Sequence, residues 1–332
     1  MKKAGNRKMN LMMNDVTEIF NLINNSKNIC IAGHKAPDGD CIGSVMALYH
    51  FLKPLDKKLT VCIDGIIPYN YKQFINEDVL LQEYNNEEFD LLFVLDCSDK
   101  ERLGKFKDVF HKAKTSVCID HHKTNEGFAD INIIDTEVSS TGELLYDVLK
   151  TSGRGLTKQI ATNIYIAILT DTGKFSYSNT SGETHKITAE LIEFGVDIAQ
   201  IDNIIYNSKP SNIVKAYIEC ISSLELYYNN KFAITCITKD ILERNNAEMG
   251  DIDGVVEFLR EIGEVEVSCV LKEYDSNDTK ISLRSKNNID VSNISVKYGG
   301  GGHAKAAGFE IKETIENTKK ILIETFKEYF QE

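Results

Sequence analysis

Short apolar runs alternate with longer amphipathic segments through the first half of this chain, and this alternation limits the folds that it can form. Five runs are rich in Val, Ile, Leu and Phe and have the length of buried strands: Asn28–Gly33, Leu59–Ile63, Leu91–Leu95, Val117–Ile119 and Ile131–Ile134. Helical spacing of apolar residues marks Asp15–Asn25, Cys41–Leu52, Thr141–Lys150 and Thr157–Leu169. Buried strands that alternate with helices predict an α/β fold in which helices flank a mostly parallel sheet.

The second half of the chain has a different pattern. Helical spacing dominates from Thr184 and is interrupted by Gly195 and Pro210. A new series of strands and helices begins at Lys231 and closes with the helix Ile315–Tyr329. With 332 residues, the chain is long enough to form two cores. We therefore expect a domain over residues 1–190, a helical linker over 191–229 and a smaller α/β domain over 230–332.

Charge and composition narrow the class of protein. Fifty acidic residues against 38 basic residues give a formal net charge of −12, whereas proteins that grip long nucleic acid by its phosphates usually carry a basic surplus. The eight cysteines form no CxxC pair, and several lie in apolar runs, which predicts reduced, buried thiols. No apolar stretch approaches the roughly 20 residues of a membrane span, and the basic N-terminus lacks the apolar segment of a signal peptide. We expect a cytoplasmic protein.

Acidic and histidine residues gather where four apolar segments end. They are His34, Asp38 and Asp40 after the first run, Asp96 after the third, Asp120, His121 and His122 at the fourth, and Asp171 at the end of a helix. Strand ends that share one edge of a sheet would bring these side chains together, and divalent cations would offset their repulsion. Oxygen and imidazole ligands suit Mn²⁺, Mg²⁺ or Fe²⁺ better than structural zinc, and their number favours two ions. Asp38 and Asp40 could instead be turn formers or helix caps.

A glycine-rich segment, Tyr298–Phe309, is the second feature that suggests chemistry. Its four consecutive glycines would let the backbone approach an anion, and His303 and Lys305 add hydrogen-bond donors. Arg284 and Lys286, on the preceding apolar run, could complete a clamp for a phosphate or carboxylate. A flexible turn is the alternative interpretation of the same glycines.

Five motifs together resemble one family. HKAPDGDCIGS, VLDCSD, IDHHKTN and TDTGKFSYSNTS occur in this order and are followed by GGGGHAKAAGF. The series resembles the DHH phosphoesterase superfamily with its DHH-associated C-terminal domain. The two-domain length is similar to that of the bifunctional oligoribonuclease and pAp phosphatase branch, the nanoRNases. RecJ-like exonucleases are typically longer, and the manganese pyrophosphatases have a different C-terminal domain. The resemblance implies a helical linker and an active-site cleft between the two domains.

The resemblance also implies a set of metal ligands. It implies two Mn²⁺ ions, with Mg²⁺ or other divalent cations as alternatives. The ligands of the first ion would be His34, Asp38 and Asp96, and those of the second would be Asp40, Asp96, His121 and Asp171. Asp96 would then bridge the two ions, which would activate water for hydrolysis.

Further residues take their roles from the same resemblance. His122 would contact the scissile phosphate, and Asp120 would orient a neighbouring histidine. The substrate-binding residues of the second domain would be Arg284, Gly300, Gly301, Gly302 and His303. Many relatives carry a basic residue near Ser176, and Lys174 is the candidate to replace it here.

The activity implied by the resemblance is that of a two-metal phosphodiesterase and phosphatase of the 3′(2′),5′-bisphosphate nucleotidase type. It would degrade 5′-phosphorylated di- to pentaribonucleotides to mononucleotides and dephosphorylate pAp to AMP. Hydrolysis of pApA or cyclic di-AMP at the same metal site is the alternative. The expected partners are short RNA oligonucleotides, pAp or linear dinucleotides, without long duplex nucleic acid or a membrane. Family members are often homodimers, but the sequence shows no interface.

Overall fold

The computed structural model describes residues 15–75, 77–252 and 254–330. The chain forms two compact units, which divide between Ser208 and Lys209. The segment 191–229, predicted as a helical linker, is shared between these units. The basic N-terminal residues 1–14, in which we expected no signal peptide, lie outside the described ranges. Within those ranges, no helix combines the length and apolar character needed to cross a membrane.

A parallel sheet of five strands forms the centre of the first unit. Its strands are β1 (Asn28–Ala32), β2 (Lys58–Cys62), β3 (Leu91–Leu95), β4 (Ser116–Asp120) and β5 (Ile131–Ile134). Their order across the sheet is β2-β1-β3-β4-β5, and every neighbouring pair is parallel. Every residue of β3 and β4 is buried, as expected for strands that are covered on both faces. The predicted α/β fold is confirmed.

Helices of the first unit pack closely where glycines allow it. The described helices are α1 (residues 15–25), α2 (Gly39–Leu52), α3 (Thr141–Lys150), α4 (Lys158–Asp171), α5 (Gly182–Glu193) and α6 (Ile198–Tyr206). A Cβ atom added at Gly43 of α2 would lie 2.5 Å from the Asn163 carbonyl oxygen of α4. One added at Gly142 of α3 would lie 2.3 Å from the Ala167 Cβ atom. The lack of side chains at these glycines therefore lets α2 and α3 lie against α4.

The connection from β3 to β4 contains 3-10 turns over Lys100–Lys112 rather than an α-helix. Gly104 interrupts these turns with φ 59° and ψ −129°, a conformation that favours glycine. A hydrogen bond of 2.6 Å from the Lys35 backbone nitrogen to the Arg102 carbonyl oxygen joins this connection to the residues that follow β1. The connection therefore lies beside the carboxyl edge of the sheet.

The second unit is built on a mixed sheet. Its strands are β6 (Glu225–Tyr227), β7 (Phe232–Ile237), β8 (Val267–Asp275), β9 (Asp278–Ser285), β10 (Gly301–His303) and β11 (Ala306–Ile311). The order is β10-β11-β9-β8-β7-β6, in which β7 and β8 are parallel and the other neighbours are antiparallel. Its described helices are α7 (Ser211–Ser222), α8 (Lys239–Arg244), α9 (Val255–Glu261), α10 (Val291–Lys297) and α11 (Ile315–Phe330). Phe232, Leu283 and Phe326 lie in the core of this unit.

Candidate active site

The side chains that we predicted as metal ligands meet at the carboxyl edge of the parallel sheet. Their nitrogen and carboxylate oxygen atoms form three overlapping groups, and the donor atoms of each group lie within 4.8 Å of one another. The groups are His34, Asp38 and Asp96; Asp40, His121 and Asp171; and Asp96, His121 and His122. The first group contains the three residues that the family resemblance implied for one ion, and the second contains three of the four residues implied for the other.

Asp96 connects these groups. Its Oδ2 atom lies 3.4 Å from His34 Nε2, and its Oδ1 atom lies 3.7 Å from His121 Nε2. Oδ1 also accepts a hydrogen bond of 3.0 Å from the Thr141 hydroxyl, which fixes the orientation of the carboxylate. The φ angle of Asp96 is 57°, in the left-handed region that few residues other than glycine adopt. The two oxygens of the Asp96 carboxylate therefore face different ligand groups.

Asp40 is held by the first turn of α3. Its Oδ2 atom accepts a hydrogen bond of 2.7 Å from the Thr141 backbone nitrogen, and its Oδ1 atom accepts one of 2.9 Å from Gly142. Helix N-termini present unpaired N–H groups and a partial positive charge, which stabilise a carboxylate. The same Oδ2 atom lies 3.6 Å from His121 Nε2, so α3 orients Asp40 toward the ligand group.

Asp38 is the helix cap that the sequence left open as an alternative, and it also lies among the predicted metal ligands. Its Oδ1 atom accepts hydrogen bonds of 3.1 Å from the backbone nitrogens of Asp40 and Cys41, so it is the N-cap of α2. The same oxygen lies 3.6 Å from His34 Nε2. The Asp38 side chain is 63% exposed, whereas those of His34 and Asp96 are buried. The helix cap therefore holds an accessible carboxylate beside a buried histidine.

The carboxylates of the cluster lie close together, so their negative charges repel one another and attract positive charge. Burial lowers the pKa of His34, but the neighbouring Asp38 and Asp96 outweigh burial and raise it to about 10. Burial and the charges of Asp38 and Asp96 raise the pKa of Asp171 to about 8. Burial and the charges of Asp96 and Asp171 also raise the pKa of Asp40. Divalent cations would offset this repulsion, and carboxylate oxygens with imidazole nitrogens suit Mn²⁺ or Mg²⁺.

Asp120 is completely buried, and its contacts orient His122. The His122 Nδ1 atom lies 2.7 Å from Asp120 Oδ1 in a hydrogen bond. Burial lowers the pKa of His122, but Asp120 and Asp96 outweigh burial and raise it. The amide nitrogen of Asn125 donates to Asp120 Oδ2 at 2.7 Å and to the Cys97 carbonyl oxygen at 3.0 Å. Asn125 lies in the IDHHKTN motif, but we gave it no role because its spacing alone does not show this contact.

Asn179 is a second residue that sequence reasoning missed. Its amide nitrogen lies 3.1 Å from the Asp171 carbonyl oxygen, 3.3 Å from Asp171 Oδ2 and 2.9 Å from the Ser139 carbonyl oxygen. It therefore ties the end of α4 to the segment before α3. Its place in the motif TDTGKFSYSNTS, near the predicted ligand Asp171, was the available signal.

Lys174 is directed toward α6. Its Nζ atom lies 2.7 Å from Asp202 Oδ1 and 4.2 Å from the ring centre of Tyr206. The ammonium group is therefore paired with a carboxylate of the protein. This pairing argues against Lys174 as the replacement for the basic residue that many relatives carry near Ser176.

The predicted substrate-binding residues of the second unit lie on or beside two strands, β9 and β10, which flank β11. Arg284 of β9 is opposite Ala306 of β11, which in turn is opposite His303 of β10. Residues that are opposite each other in a sheet share a face, so Arg284 and His303 flank the small Ala306 side chain. The Arg284 Nε atom donates to Glu257 Oε1 at 2.8 Å, which fixes the guanidinium group.

The glycine run contains an edge strand. Gly301, Gly302 and His303 form β10, whose residues are exposed. A Cβ atom added at Gly300 would lie 2.3 Å from the Gly308 carbonyl oxygen, and one at Gly302 would lie 2.5 Å from that of Ala306. The close approach of β11 therefore requires these two glycines, whereas a Cβ atom at Gly301 would meet no atom within 4 Å. A regular strand pairing replaces the flexible turn that we considered.

Known proteins share both halves of this architecture. The DHH family, N-terminal domain, matches residues 28–168, and the DHHA1 domain matches residues 229–332. The "Bifunctional oligoribonuclease and PAP phosphatase NrnA" of Thermus thermophilus is 31% identical over 290 residues, which cover 86% of this chain and 84% of that protein. The chain belongs to the DHH family. The resemblance of the five sequence motifs to the DHH family is thus confirmed.

Solved structures agree with this assignment. An exopolyphosphatase-related protein from Bacteroides fragilis is similar to this DHH protein with a TM-score of 0.88 and 30% identity, covering 96% of this chain and 98% of that chain. RecJ from Thermus thermophilus, solved in complex with Mn²⁺, has a TM-score of 0.57 at 12% identity, covering 96% of this chain and 55% of that chain. The second likeness shows the shared fold alone.

Proposed function

We propose that this DHH protein is a metal-dependent phosphohydrolase that degrades short 5′-phosphorylated oligoribonucleotides to mononucleotides and converts pAp to AMP. The observation that carries the proposal is the Asp96 carboxylate, whose two oxygens face His34 and His121. The Thermus thermophilus relative is named for the same two activities. Together, the ligand cluster and the relative favour hydrolysis of phosphate esters over a purely regulatory role.

Two Mn²⁺ or Mg²⁺ ions fit this cluster. The ligand groups within the described ranges contain carboxylates and imidazoles but no thiolate, which suits these ions. One ion would be held by His34, Asp38 and Asp96, and the other by Asp40, Asp96, His121 and Asp171. When bound, such ions neutralise phosphate charge and lower the pKa of water at the site.

His122 is the protein group that we assign to the scissile phosphate. Asp120 receives the hydrogen bond from His122 Nδ1, which leaves Nε2 as the nitrogen for a phosphate oxygen. Asn125 holds Asp120 from the opposite side, so the imidazole is oriented before substrate binds. The role of these two residues is to position a donor at the reacting phosphate.

The second unit would supply the specificity for small nucleotides. Arg284 and His303 lie in one row of the sheet and offer donors for a second anionic group of the substrate. A substrate with few phosphates also suits a protein with a net charge of −12, since it requires no extended basic surface. We therefore propose short RNA and pAp as substrates in the cytoplasm, without long duplex nucleic acid or a membrane as partners.

A substrate panel tests this proposal. The purified protein would be incubated with Mn²⁺ and 5′-labelled RNAs from dinucleotides to long oligomers, alongside pAp, pApA and cyclic di-AMP. We expect rapid loss of the shortest RNAs and release of phosphate from pAp, with little cleavage of long RNA. The Asp96→Asn variant is the control for contaminating nucleases.

Two outcomes would change the assignment. Turnover restricted to pApA or cyclic di-AMP would contradict the oligoribonuclease proposal. The protein would then be a phosphodiesterase for these dinucleotides that uses the same metal site. No turnover of any nucleotide by protein that binds Mn²⁺ would contradict the proposed function.

A further inference from the structure

Arg102 lies beside the metal-ligand cluster, although no motif singled it out. Its carbonyl oxygen accepts the 2.6 Å hydrogen bond from the backbone nitrogen of Lys35, the residue after His34. Its own backbone nitrogen donates to Asp99 Oδ1 at 3.1 Å, so the N-cap of the 3-10 segment fixes it from the other side. Arg102 is thus anchored between the ends of β1 and β3, which both lead into the cluster.

The guanidinium group of Arg102 has an unusual environment. Its Nε atom is buried and has no hydrogen-bond partner, and no carboxylate of the described residues forms an ion pair with this side chain. A buried donor of a charged group that lacks a partner is costly, so such groups are rare in folded proteins. Arg284 of the second unit differs because its Nε atom is paired with Glu257.

Contacts within the cluster connect the position of Arg102 to the candidate catalytic histidine. Arg102 is hydrogen-bonded to the residue after His34, the His34 Nε2 atom lies 3.4 Å from one oxygen of Asp96, and the other oxygen of Asp96 lies 3.6 Å from His122 Nδ1. His122 is the residue that we assigned to the scissile phosphate. An unpaired guanidinium anchored at this edge of the sheet is therefore placed to meet the same phosphate.

We propose that Arg102 binds a phosphate oxygen of the substrate at the metal centre, an inference that rests on the proposed function. A planar guanidinium can donate two parallel hydrogen bonds to a phosphate, and it remains charged at any physiological pH. The neighbouring carboxylates would be engaged by cations, which leaves the substrate as the anion for Arg102. Arg102 would recognise the phosphate monoester or diester itself and would not distinguish between nucleosides.

The test compares Arg102→Ala and Arg102→Lys with Lys107→Ala in the Mn²⁺-loaded protein. Lys107 is exposed in the same 3-10 segment and pairs with Glu101, so its removal is a matched loss of one positive charge. We expect kcat/KM for pAp to fall about 100-fold or more in Arg102→Ala, as for the loss of one transition-state donor. Arg102→Lys should recover little of this loss because an ammonium lacks the planar fork, and Lys107→Ala should match the wild type.

Two further readouts separate phosphate binding from a structural role. Guanidinium ion at non-denaturing concentration should partly restore Arg102→Ala but not affect the wild type, and Mn²⁺ affinity and the thermal midpoint should stay unchanged. Activity within a few-fold of wild type would overturn the proposal. Loss of Mn²⁺ binding without rescue would overturn it as well, since Arg102 would then be structural. If Arg102→Ala does not fold, wild-type activity in Arg102→Lys would overturn it.

Failure of the proposed function has a different signature. If the wild type hydrolyses neither RNA nor pAp, calorimetric titration of the Mn²⁺-loaded protein with inorganic phosphate still examines Arg102. Weaker phosphate binding by at least tenfold in Arg102→Ala, with wild-type binding in Lys107→Ala, would support the inference. Equal binding by all the variants would contradict it.

Discussion

At the scale of single residues, Asp96 should support both the activity and the metal-free fold. Asp96→Asn keeps the size of the side chain and an acceptor for Thr141 but removes one charge from the cluster. We expect activity with Mn²⁺ to fall well beyond the roughly 10–100-fold that follows loss of a residue supporting a ligand. Without metal, the thermal midpoint at neutral pH should fall, because burial and the Asp38 charge raise the pKa of Asp96 but the pairing with His34 outweighs them and lowers it, so the charged carboxylate stabilises the fold.

Metal titrations of activity and thermal melts in a chelator would check both halves of this prediction. Asp56→Asn is the matched control, because Asp56 is exposed outside the cluster and its φ of 54° suits asparagine. The control should leave activity unchanged. A metal-free midpoint for Asp96→Asn equal to or above that of the wild type, with Asp56→Asn unaffected, would show that repulsion outweighs the His34–Asp96 pair at this site.

The ligand residues could be foreseen because chain order and sheet geometry determine where they lie. Once strands are parallel, Asp96 and His121 must emerge at one edge, whatever their side-chain conformations. Asn125, Asn179 and Arg102 could not be foreseen in the same way. Their roles depend on which donor faces which oxygen, and that depends on turns whose conformations the apolar pattern does not describe.

At the scale of elements, the contact between α2 and α4 controls the spacing of Asp40 and Asp171. Gly43→Ala would place a Cβ atom 2.5 Å from the Asn163 carbonyl oxygen and 2.9 Å from the Ala167 nitrogen, so the helices must separate. We expect a loss of about 1–3 kcal/mol in the free energy of unfolding, as for other overpacked cores. Because each helix carries one of the predicted ligands, Mn²⁺ affinity should also fall.

Urea denaturation and Mn²⁺ titration would measure these effects. Gly182→Ala is the control: a Cβ atom there meets nothing within 4 Å, and the residue begins α5. Its stability should match or slightly exceed that of the wild type. If Gly43→Ala is destabilised but its Mn²⁺ affinity is unchanged, the positions of Asp40 and Asp171 at the metal site do not depend on the spacing of α2 and α4.

An ion pair between α9 and β9 holds Arg284, the predicted anion-binding residue. Glu257 and Arg284 are about 30% exposed, so their ion pair contributes little to stability but fixes the guanidinium. Glu257→Ala should raise KM for pAp by about 3- to 10-fold, the equivalent of one hydrogen bond, with kcat nearly constant. Glu257→Gln retains an acceptor oxygen and should restore KM toward the wild type.

Steady-state kinetics on pAp would measure this division between KM and kcat. Glu261→Gln, an exposed change on the same helix, should have no effect. A KM for Glu257→Ala equal to that of the wild type would show that Arg284 either needs no support or does not bind substrate.

Element boundaries show why prediction succeeded in some places and failed in others. The bounds of β3, β5 and α3 agree with the sequence pattern because each has a clear apolar period and a defined end. The strand β10 was missed because Gly301, Gly302 and His303 have low strand propensity and no alternation. It forms because β11 pairs with it in a hairpin. The two strands lie so close together that a Cβ atom at Gly302 would collide with β11.

At the scale of the whole molecule, the ligand cluster and the proposed substrate row lie in different compact units. The ligand residues all precede Ser208, whereas Arg284 and His303 belong to the unit that begins at Lys209. Metal binding should therefore stabilise the first unit directly. The second unit has its own apolar core and sheet, so its local stability should respond much less to metal.

Hydrogen exchange with and without Mn²⁺ would test this difference. A ligand at about 100 times its dissociation constant stabilises the native state by about 2.7 kcal/mol, so exchange through unfolding of the first unit should slow by about 100-fold. The amides of β1, β3 and β4 should show this protection, while those of β8 and β9 should change little. The Asp96→Asn variant should lose the protection in β1 and β3. Equal protection of both sheets in the wild type would contradict the prediction, because it would mean that the two units unfold as one.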